Sequence, residues 1–413
     1  MKSKIILIAL VISAYACSNP SPQGDGSVKE VMVGGNKVLV CLFDKVKSET
    51  VTAPLSRFVE HFEIVQLETC ENAFFNTTAN ITVTEKYIGV RPIYGDNYTL
   101  FDRAGKFFCT VSRKGRGPGE YPISINDDII DEKNGIIYLA LTFSNKLLVY
   151  NTSGQFLKEF VLPHRFDQPK IFLSEGTLAV VQAPIMFQQP NRTINQADVM
   201  MVKFDVKTGE MLEQLAPPYE HLILKSLSGF PNTFRNVPDV FDWFPNYQSE
   251  EHIQCDTIYH IDIKRNKLIP FFTVEANNLA NENFKPFCYQ VNKNLILINL
   301  FKFKGPREEP KDYYIAADLK SKISTRFNKV ANDYLGNMII SRDDFHLKIT
   351  NGYYTTSIQP EDLMEDIEKR LKESSCTQKD REILKKTLST LKEGTNNVVF
   401  IGKIKDEIKT NLW

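Results

Sequence analysis

Short apolar runs alternate with turn-forming residues from about residue 80 to about residue 330, and this pattern predicts β-strands. The run Ile136–Leu141 follows Asn134-Gly135, a dipeptide typical of hairpin turns. A second apolar run, Lys146–Tyr150, begins a few residues later. Long stretches with the period of an amphipathic helix are missing from this part of the sequence. The pattern therefore predicts a succession of antiparallel strands joined by short turns.

One unit recurs along this region: a strand that ends in Asp or Asn, a turn, and a second strand. The first copy is Leu100–Phe108 and the second is Val149–Leu157. The five copies have their Asp or Asn at Asp102, Asn151, Asp205, Asp262 and Asp318. These side chains accept hydrogen bonds from the backbone two residues further on and so stabilise turns. Their recurrence therefore requires no ligand.

The spacing of these five anchors predicts a β-propeller. Neighbouring anchors are 49 to 57 residues apart, which leaves room for about four strands per copy, as in a propeller blade. A β-sandwich would not keep so even a spacing; chance recurrence of Asp-containing turns in an all-β chain is the simpler alternative. Because the 95 residues after Asp318 suffice for one more blade, we predict an all-β fold, a six-bladed β-propeller.

The C-terminal residues are predicted to form the last blade. Asn397–Ile404 supplies a final strand. A closed ring requires one blade to combine strands from both ends of the chain, because an open blade would expose unpaired backbone groups. Two early segments are available for this closure, Lys37–Phe43 and Glu63–Glu68. The other strands assigned to the last blade are Gly336–Ser341, Phe345–Ile349 and Tyr353–Ile358.

A helical hairpin is predicted inside the last blade, at about residues 360–394. Leu363, Ile367 and Leu371 recur at helical spacing after Pro360, a residue suited to the first turn of a helix. Thr377 and Asp380 open a second helical run, and Gly394 is placed to end it. The hairpin is expected to cap one side of the fold; a partner-binding or gating role is the alternative.

Composition and charge exclude some classes of protein. The 413 residues carry 50 Lys and Arg against 50 Asp and Glu, whereas a protein that binds nucleic acid through general electrostatics needs an excess of positive charge. No nucleic-acid partner is therefore expected. Hydrophobic residues make up 42% of the chain and aromatic residues 11%, which is enough to fill a large core.

The first residues resemble a bacterial lipoprotein signal. Two lysines precede the apolar run Ile5–Ala16, which is shorter than the ~20 residues needed to span a bilayer. Cys17 directly follows small residues, as in a lipobox; the alternatives are signal cleavage near Ala16 without lipidation and a plain buried hydrophobic segment. We predict a signal peptide over 1–16, lipid attachment at Cys17, a tether over 17–30 and a propeller over 31–413. The protein is then exported and lipid-anchored to the outer membrane, on either its periplasmic or its surface side.

Neither a metal nor a cofactor is predicted. The six remaining cysteines form no C-x-x-C pair and have no histidine at metal-ligand spacing, and most lie in or beside apolar runs, which favours buried thiols over disulfides. The acidic segment Asp127–Glu132 lacks the glycine of a calcium loop. We expect it to form a solvated blade edge.

The segments FDRAGKF (Phe101–Phe107) and GRGPGEY (Gly115–Tyr121) resemble the first-blade motif of six-bladed β-propeller lipoproteins of Bacteroidota, which are distantly similar to NHL-type propellers. The residues before the closing strand, Glu393–Asn397, depart from that family, which more often has acidic residues and a proline there. The resemblance implies an exported, membrane-anchored propeller. It extends to the segments Ile64–Thr69, Asp256–Ile261 and Val398–Lys405.

Function is predicted only by class. We expect a binding module for a glycan, a peptide or an envelope protein. The alternatives are a lyase or hydrolase acting on glycan or peptide at the channel mouth, which histidines clustered with acidic residues or arginine in the channel would favour, and a purely structural member of an outer-membrane assembly.

Two segments are candidate ligand surfaces. Arg116, Glu120 and Tyr121 lie in the glycine-rich turn, and Trp243 and Tyr247 lie in an aromatic-rich insertion predicted over Pro217–Ser249. Both also have simpler interpretations. The first is a self-contained structural turn, and the second is a segment that packs over the channel mouth.

Lipid attachment at Cys17 is directly testable. Expression of the full chain with the lipoprotein machinery of a Gram-negative host should give a mature protein whose intact mass includes acyl chains and which sediments with membranes. Cys17→Ser should remove both the added mass and the membrane association, because an acyl chain contributes about 0.8 kcal/mol of binding per buried methylene. A Cys70→Ser control should keep both. An unmodified wild-type mass would contradict the prediction.

Overall fold

The computed structural model describes residues 25–47, 51–75, 77–93, 97–166, 168–181, 186–189, 192–195, 201–215, 223–224, 232–244, 257–265, 267–275, 284–302, 313–340 and 347–408. Their strands form six radial sheets, which we number as blades 1 to 6, and one small additional sheet. The predicted six-bladed β-propeller is therefore confirmed. Four strands precede blade 1: β1 (Val28–Val33), β2 (Asn36–Leu42), β3 (Val51–Pro54) and β4 (Val59–Gln66).

Blades 1 to 3 follow in chain order, each with four antiparallel strands from the centre outwards. Blade 1 consists of β5 (Ala79–Val83), β6 (Tyr87–Pro92), β7 (Asn97–Asp102) and β8 (Phe107–Arg113). Blade 2 consists of β9 (Ile125–Asp131), β10 (Ile136–Leu141), β11 (Ser144–Asn151) and β12 (Phe156–Phe166). Blade 3 contains β13 (Lys170–Ser174), β14 (Thr177–Val181), β17 (Met201–Asp205) and β18 (Met211–Leu215); the small sheet contains β15 (Met186–Gln189), β16 (Arg192–Asn195) and β19 (Ile223–Leu224).

Blades 4 to 6 complete the ring. Blade 4 consists of β20 (Asn232–Phe234), β21 (Asp242–Phe244), β22 (Thr257–Asp262) and β23 (Lys267–Glu275). Blade 5 consists of β24 (Phe284–Asn292), β25 (Leu295–Lys302), β26 (Tyr313–Asp318) and β27 (Ile323–Asn332), extended by β28 (Met338–Ile339). Blade 6 consists of β29 (Ile349–Thr350), β30 (Tyr353–Ile358), β31 (Val398–Ile404) and β4.

The ring closes where both ends of the chain share blade 6. β31 pairs antiparallel with β30 on one side and with β4 on the other, with Phe400 opposite Ile64. This confirms the expected use of Glu63–Glu68 and Asn397–Ile404. Asn396, which is fully buried just before β31, donates from Nδ2 to the carbonyls of Glu68 and Ala73 at 2.7 and 2.8 Å. The segment that departs from the family pattern therefore contributes directly to closure.

Three expectations about strand use are wrong. Lys37–Phe43 does not close the ring: β2 pairs parallel with β23 of blade 4, because its apolar side chains pack into the core beside blade 5. In Gly336–Ser341, β28 pairs with β27 and so extends blade 5 rather than blade 6. Pro217–Ser249 is not simply an insertion, since it contains β20 and β21, the two inner strands of blade 4.

The five repeated Asp or Asn residues each end a strand just before a turn, as predicted, and the structure shows that this strand is the third of its blade. Asn151 Oδ1 accepts a hydrogen bond from Ser153 N at 3.1 Å, and Asp205 Oδ1 accepts one from Lys207 N at 2.8 Å. The same contact joins Asp318 Oδ1 to Lys320 N at 2.9 Å. The turn residues are thus explained by backbone hydrogen bonding.

These turns also contact the preceding blade. Gly105 has a φ of +83°, and a Cβ built on it would lie 2.6 Å from the backbone oxygen of Gln66 in blade 6. The Gly105 carbonyl accepts a hydrogen bond from Glu68 N at 2.8 Å. Gly154, also at +83°, approaches the Thr110 oxygen of blade 1 in the same way. Glycine is required here because a blade must come within backbone contact of its neighbour.

The predicted helical hairpin is confirmed between β30 and β31 of blade 6. α1 spans Pro360–Lys372 and α2 spans Gln378–Leu388. Thr377 and Asp380 form a capping box at the start of α2. Leu363 and Ile367 of α1 are buried in a cluster that also contains Phe400 of β31, so the hairpin packs against its own blade.

Cys41, Cys288 and Cys376 are buried free thiols, and Cys70 and Cys109 are partly buried free thiols. Burial raises the pKa of the Cys41 thiol to about 12. Cys17 and Cys255 lie outside the described residues. Among the helices that the structure describes, none is long and apolar enough to cross a membrane.

The meander places the connections of the blades on two distinct faces. The chain passes from one blade to the next, and from the second to the third strand of each blade, on one face, which we call the long-loop face. It includes residues 114–124 between blades 1 and 2, and 359–397 with the helical hairpin. The opposite, short-turn face has the Asp turns. The longest connections between strands therefore belong to the long-loop face.

The contact between neighbouring blades can be tested with a pair of glycine variants. Gly176→Ala, at a φ of +79° with no atom within 4 Å of the new Cβ, should lower the free energy of unfolding by about 1 kcal/mol through backbone strain alone. Gly105→Ala should cost about 1–3 kcal/mol more, since the Gln66 backbone must shift. Urea unfolding measures both. Equal losses would contradict an obligatory close approach between blades.

Candidate functional site

The inner strands of the six blades surround a cavity of about 260 Å³ at the centre of the ring. Every blade contributes to its wall, which identifies it as the central channel. Five charged side chains line the cavity: Arg91, Asp127, Lys170, Arg235 and Lys348. Neutral polar residues include Asn80, Thr82, Asn236, Thr350, Thr355 and Thr356, and the apolar part of the wall includes Ile81, Tyr289, Leu347 and Ile349.

Asp127 and Asp128 belong to β9 of blade 2, and both are buried, at 4% and 1% exposure. The expected solvated blade edge is therefore wrong for these two residues. Successive residues of a strand point to opposite sides, so Asp127 faces the channel while Asp128 accepts a hydrogen bond from Tyr98 Oη at 2.8 Å inside the sheet stack. Both carboxylates persist in the interior because cations and donors surround them.

Arg235 holds the two acidic residues together. Its Nη2 lies 2.7 Å from Asp127 Oδ1 and also donates to the backbone oxygen of Asp128 at 2.9 Å. Ile171 N donates to Asp127 Oδ2 at 2.9 Å, and Lys170 Nζ lies 3.9 Å from Asp127 Oδ1. Burial alone raises the pKa of Asp127, but Arg235, Lys170 and the other donors outweigh burial and lower that pKa below its usual value.

Lys170 is the first residue of β13, at the end of the strand nearer the long-loop face. Its side chain is 36% exposed within the channel. Burial lowers the pKa of its ammonium; Asp127 opposes this shift, while Arg91 and Arg235 add to it. Burial is therefore the main reason that the pKa of Lys170 is lowered, and Asp127 is the neighbouring charge with the largest effect on it.

Arg91 adds to this group from β6 of blade 1. Its Nη1 donates to the carbonyl of Ile125 at 3.0 Å, and its Nε lies 3.6 Å from Asp128 Oδ1 without a hydrogen bond to any described residue. Arg91 is only 8% exposed. The Arg91 guanidinium is thus held by the Ile125 carbonyl of blade 2, while its Nε–H remains available as a hydrogen-bond donor.

The glycine-rich turn is stabilised by its own contacts. Arg116 and Glu120 are exposed on the long-loop face, and Glu120 accepts a hydrogen bond from Gly117 N at 2.7 Å. Tyr121 is 4% exposed and packs in the core between blades 1 and 2. The structure thus leaves Arg116 and Glu120 exposed at the surface and directs Tyr121 inwards.

The two predicted aromatic residues belong to a different blade. Trp243 lies in β21, where its backbone pairs with Tyr259 of β22, and its side chain lies outside the described residues. Tyr247 lies outside the described residues altogether. Both stay predictions as ligand contacts.

A histidine–carboxylate pair occurs away from the channel. His260 Nδ1 lies 2.5 Å from Asp242 Oδ1, between the second and third strands of blade 4, and the His260 ring stacks on Phe271. Burial raises the pKa of Asp242, and His260 partly offsets that rise. Neither residue is part of the described channel wall, which contains no histidine.

The channel charges could not be recognised by any local motif, but one positional signal was available. Asp127, Lys170 and Arg235 lie 24 to 35 residues before the anchors Asn151, Asp205 and Asp262. That distance is the offset from the third strand of a blade back to its first. Charged residues at this offset are candidates for the channel wall once the blade period is known.

A family model described as a domain of unknown function, DUF4934, matches residues 40–403. The chain belongs to the DUF4934 family. No curated protein matches the sequence. Among solved structures, the DUF4934 chain is similar to a Bacteroides fragilis protein designated as exported, at 16% identity and a TM-score of 0.58, over 89% of this chain and 99% of the other. Similarity at this level shows a shared fold.

A second solved structure is a DUF4221 family member from Bacteroides vulgatus, with 13% identity and a TM-score of 0.41 over 84% of this chain and 98% of the other.

Loss of the Asp127 charge should destabilise this DUF4934 propeller in a pH-dependent way. Asp127→Asn keeps the side-chain shape but leaves Arg235 and Lys170 uncompensated, and should lower the free energy of unfolding at pH 7 by about 3 kcal/mol. Because folding lowers the Asp127 pKa, its contribution is complete above the unfolded pKa of about 3.9 and is lost as the pH falls through the folded pKa.

Urea titrations at pH 7, 5 and 3 check this expectation. The difference between wild type and Asp127→Asn should be similar at pH 7 and 5 and smaller at pH 3. Asp131→Asn, at the other end of the same strand, is the matched control and should have a smaller effect at pH 7. A constant difference at all three pH values would contradict a role for the ionised carboxylate.

Proposed function

We propose that this DUF4934 protein is an exported binding module that is anchored to the outer membrane by a lipid on Cys17. The observation that carries the proposal is the channel cavity, whose wall includes residues of all six blades and charged or neutral polar side chains from blades 1 to 4 and blade 6. Backbone pairing within each blade fixes the strands that carry most of these side chains, so little backbone freedom is lost when a ligand binds. A concave site with a few fixed polar groups and apolar wall segments is the usual form of a small-molecule site.

Access is proposed from the long-loop face. Lys170 and Asp127 lie near the starts of β13 and β9, which is the end of each inner strand nearer that face. Arg116 and Glu120 are exposed on the same face. We propose that these two side chains, with Tyr121 as their packed support, form part of the entrance, and that Trp243 and Tyr247 add aromatic contacts from blade 4.

Export and lipid anchoring rest on the sequence, with support from a structural neighbour that is designated as an exported protein. Membership of the NHL-like propeller lipoproteins of Bacteroidota is part of the same proposal. The proposed ligand is a glycan or a peptide. An envelope protein would instead contact the exposed residues of the long-loop face.

A binding screen with a channel-filling variant tests the proposal. The full chain in detergent is screened by thermal shift against a panel of mono- and disaccharides and dipeptides at millimolar concentration. At least one probe should raise the melting temperature, and Thr350→Trp, which fills the cavity from β29, should abolish the rise. The matched control Thr208→Trp, exposed on the short-turn face, should leave it intact.

Two results would contradict the proposal. One is a rise in melting temperature that Thr350→Trp does not change, because the site would then lie elsewhere. The other is chemical conversion of a probe, detected by mass spectrometry, which would establish the lyase or hydrolase alternative.

A further inference from the structure

The charges around the channel do not balance. Four cationic side chains line the described wall, against the single carboxylate of Asp127. Asp128 supplies a second negative charge from behind the wall. Among the described residues the channel group therefore carries a formal excess of two positive charges.

Two of the cationic side chains, Lys170 and Arg91, also have donors without a hydrogen bond to the described residues. The Lys170 ammonium makes no hydrogen bond to the described residues; its approach to Asp127, at 3.9 Å, is an ion pair without one. Arg91 Nε, on a side chain more than nine-tenths buried, has no hydrogen-bond partner among them either. A buried donor without an acceptor costs free energy, so an acceptor that enters the channel would be stabilised there.

The remaining wall limits the size and nature of the occupant. Ile81, Leu347 and Ile349 provide an apolar surface beside the cations, and the cavity of about 260 Å³ admits a small molecule. A sugar ring or a short carbon chain can pack on such a surface while its charged group reaches the lysines and arginines. Asp127 serves as a positioning residue because it holds Arg235 and lies next to Lys170.

We infer that the channel binds a small organic anion, whose carboxylate or phosphate oxygens are bound by Lys170, Arg91, Arg235 and Lys348. This inference rests on the proposed binding function and specifies its ligand class. The lowered pKa of Lys170 is consistent with it, since an anion beside the ammonium would favour the charged form. Arginine and lysine are the side chains suited to oxyanions.

Three probes with the same sugar ring test this inference by calorimetry on the full chain: glucose, glucuronate and glucose 6-phosphate. At least one anionic probe should bind ten times more tightly than glucose, and added salt should weaken it, because salt screens charge attraction. Comparison of glucuronate with glucose 6-phosphate distinguishes a carboxylate ligand from a phosphate ligand.

Variants assign the effect to the channel. Lys170→Met should weaken the anionic probe at least tenfold while leaving the melting temperature close to that of wild type. The variant loses the attraction of Lys170 to Asp127, and this loss is offset because burial of a charged ammonium and its repulsion with Arg91 and Arg235 are also removed. Lys146→Met, which breaks the Lys146–Glu159 pair between β11 and β12 of blade 2, is the matched control and should leave binding unchanged.

The outcomes separate this inference from the proposed function. Glucose that binds as tightly as both anions, or an anionic probe that Lys170→Met does not affect, would overturn the anion inference. If a neutral probe from the wider panel binds, Thr350→Trp blocks it and neither anionic probe binds more tightly, the anion inference fails and the binding function stands. If no probe of either panel binds the folded protein, both are refuted.

Discussion

The pairing of β4 with β31 is the interaction on which the rest of the molecule depends. Each blade packs its faces on two neighbours, and a ring has no free end only if the last blade is complete. Blade 6 is completed by residues more than 330 positions apart in the chain, with Ile64 opposite Phe400. The fully buried Asn396 reinforces this contact, since its side chain bonds Glu68, Ala73 and Phe75. The channel, its charges and the close turns between blades all require this closed geometry.

The N-terminal strands cover more of the ring than closure demands. β2 lies parallel to β23 at the outer edge of blade 4, and β3 lies parallel to β27 at the outer edge of blade 5. β4 then takes the outer position in blade 6. The first strands therefore protect successive blade edges, which would otherwise present unpaired backbone groups to other chains. Blades 1 to 3 are completed by their own fourth strands.

The repeat could be predicted from sequence because its signal is local. Asp205 stabilises a turn with the amides that directly follow it, so the same residue types recur at the same place in each blade. The edge positions of β2 and β3 could not be predicted from sequence, because parallel pairing at a sheet edge depends on distant strands and has no local sequence motif. Asp127 and Asp128 were misplaced at a solvated edge for the same reason: the arginine that binds Asp127 is 108 residues away. A run of acidic residues is interpreted differently once its counterions are known.

β1 is the outermost strand of its sheet, so the described part of the chain begins at the edge of the propeller. β1 pairs only with β2 and begins on the long-loop face. The N-terminal end of the described chain therefore lies at the outer edge of the propeller and not on its axis. If the protein is anchored at Cys17, as proposed, 11 residues connect the anchor to Val28, and a fully extended connection of this length measures roughly 35–40 Å. That is nearly twice the roughly 20 Å radius of gyration expected for a domain of this size. An anchor at Cys17 would therefore let the propeller stand on its edge, with its central channel clear of the bilayer.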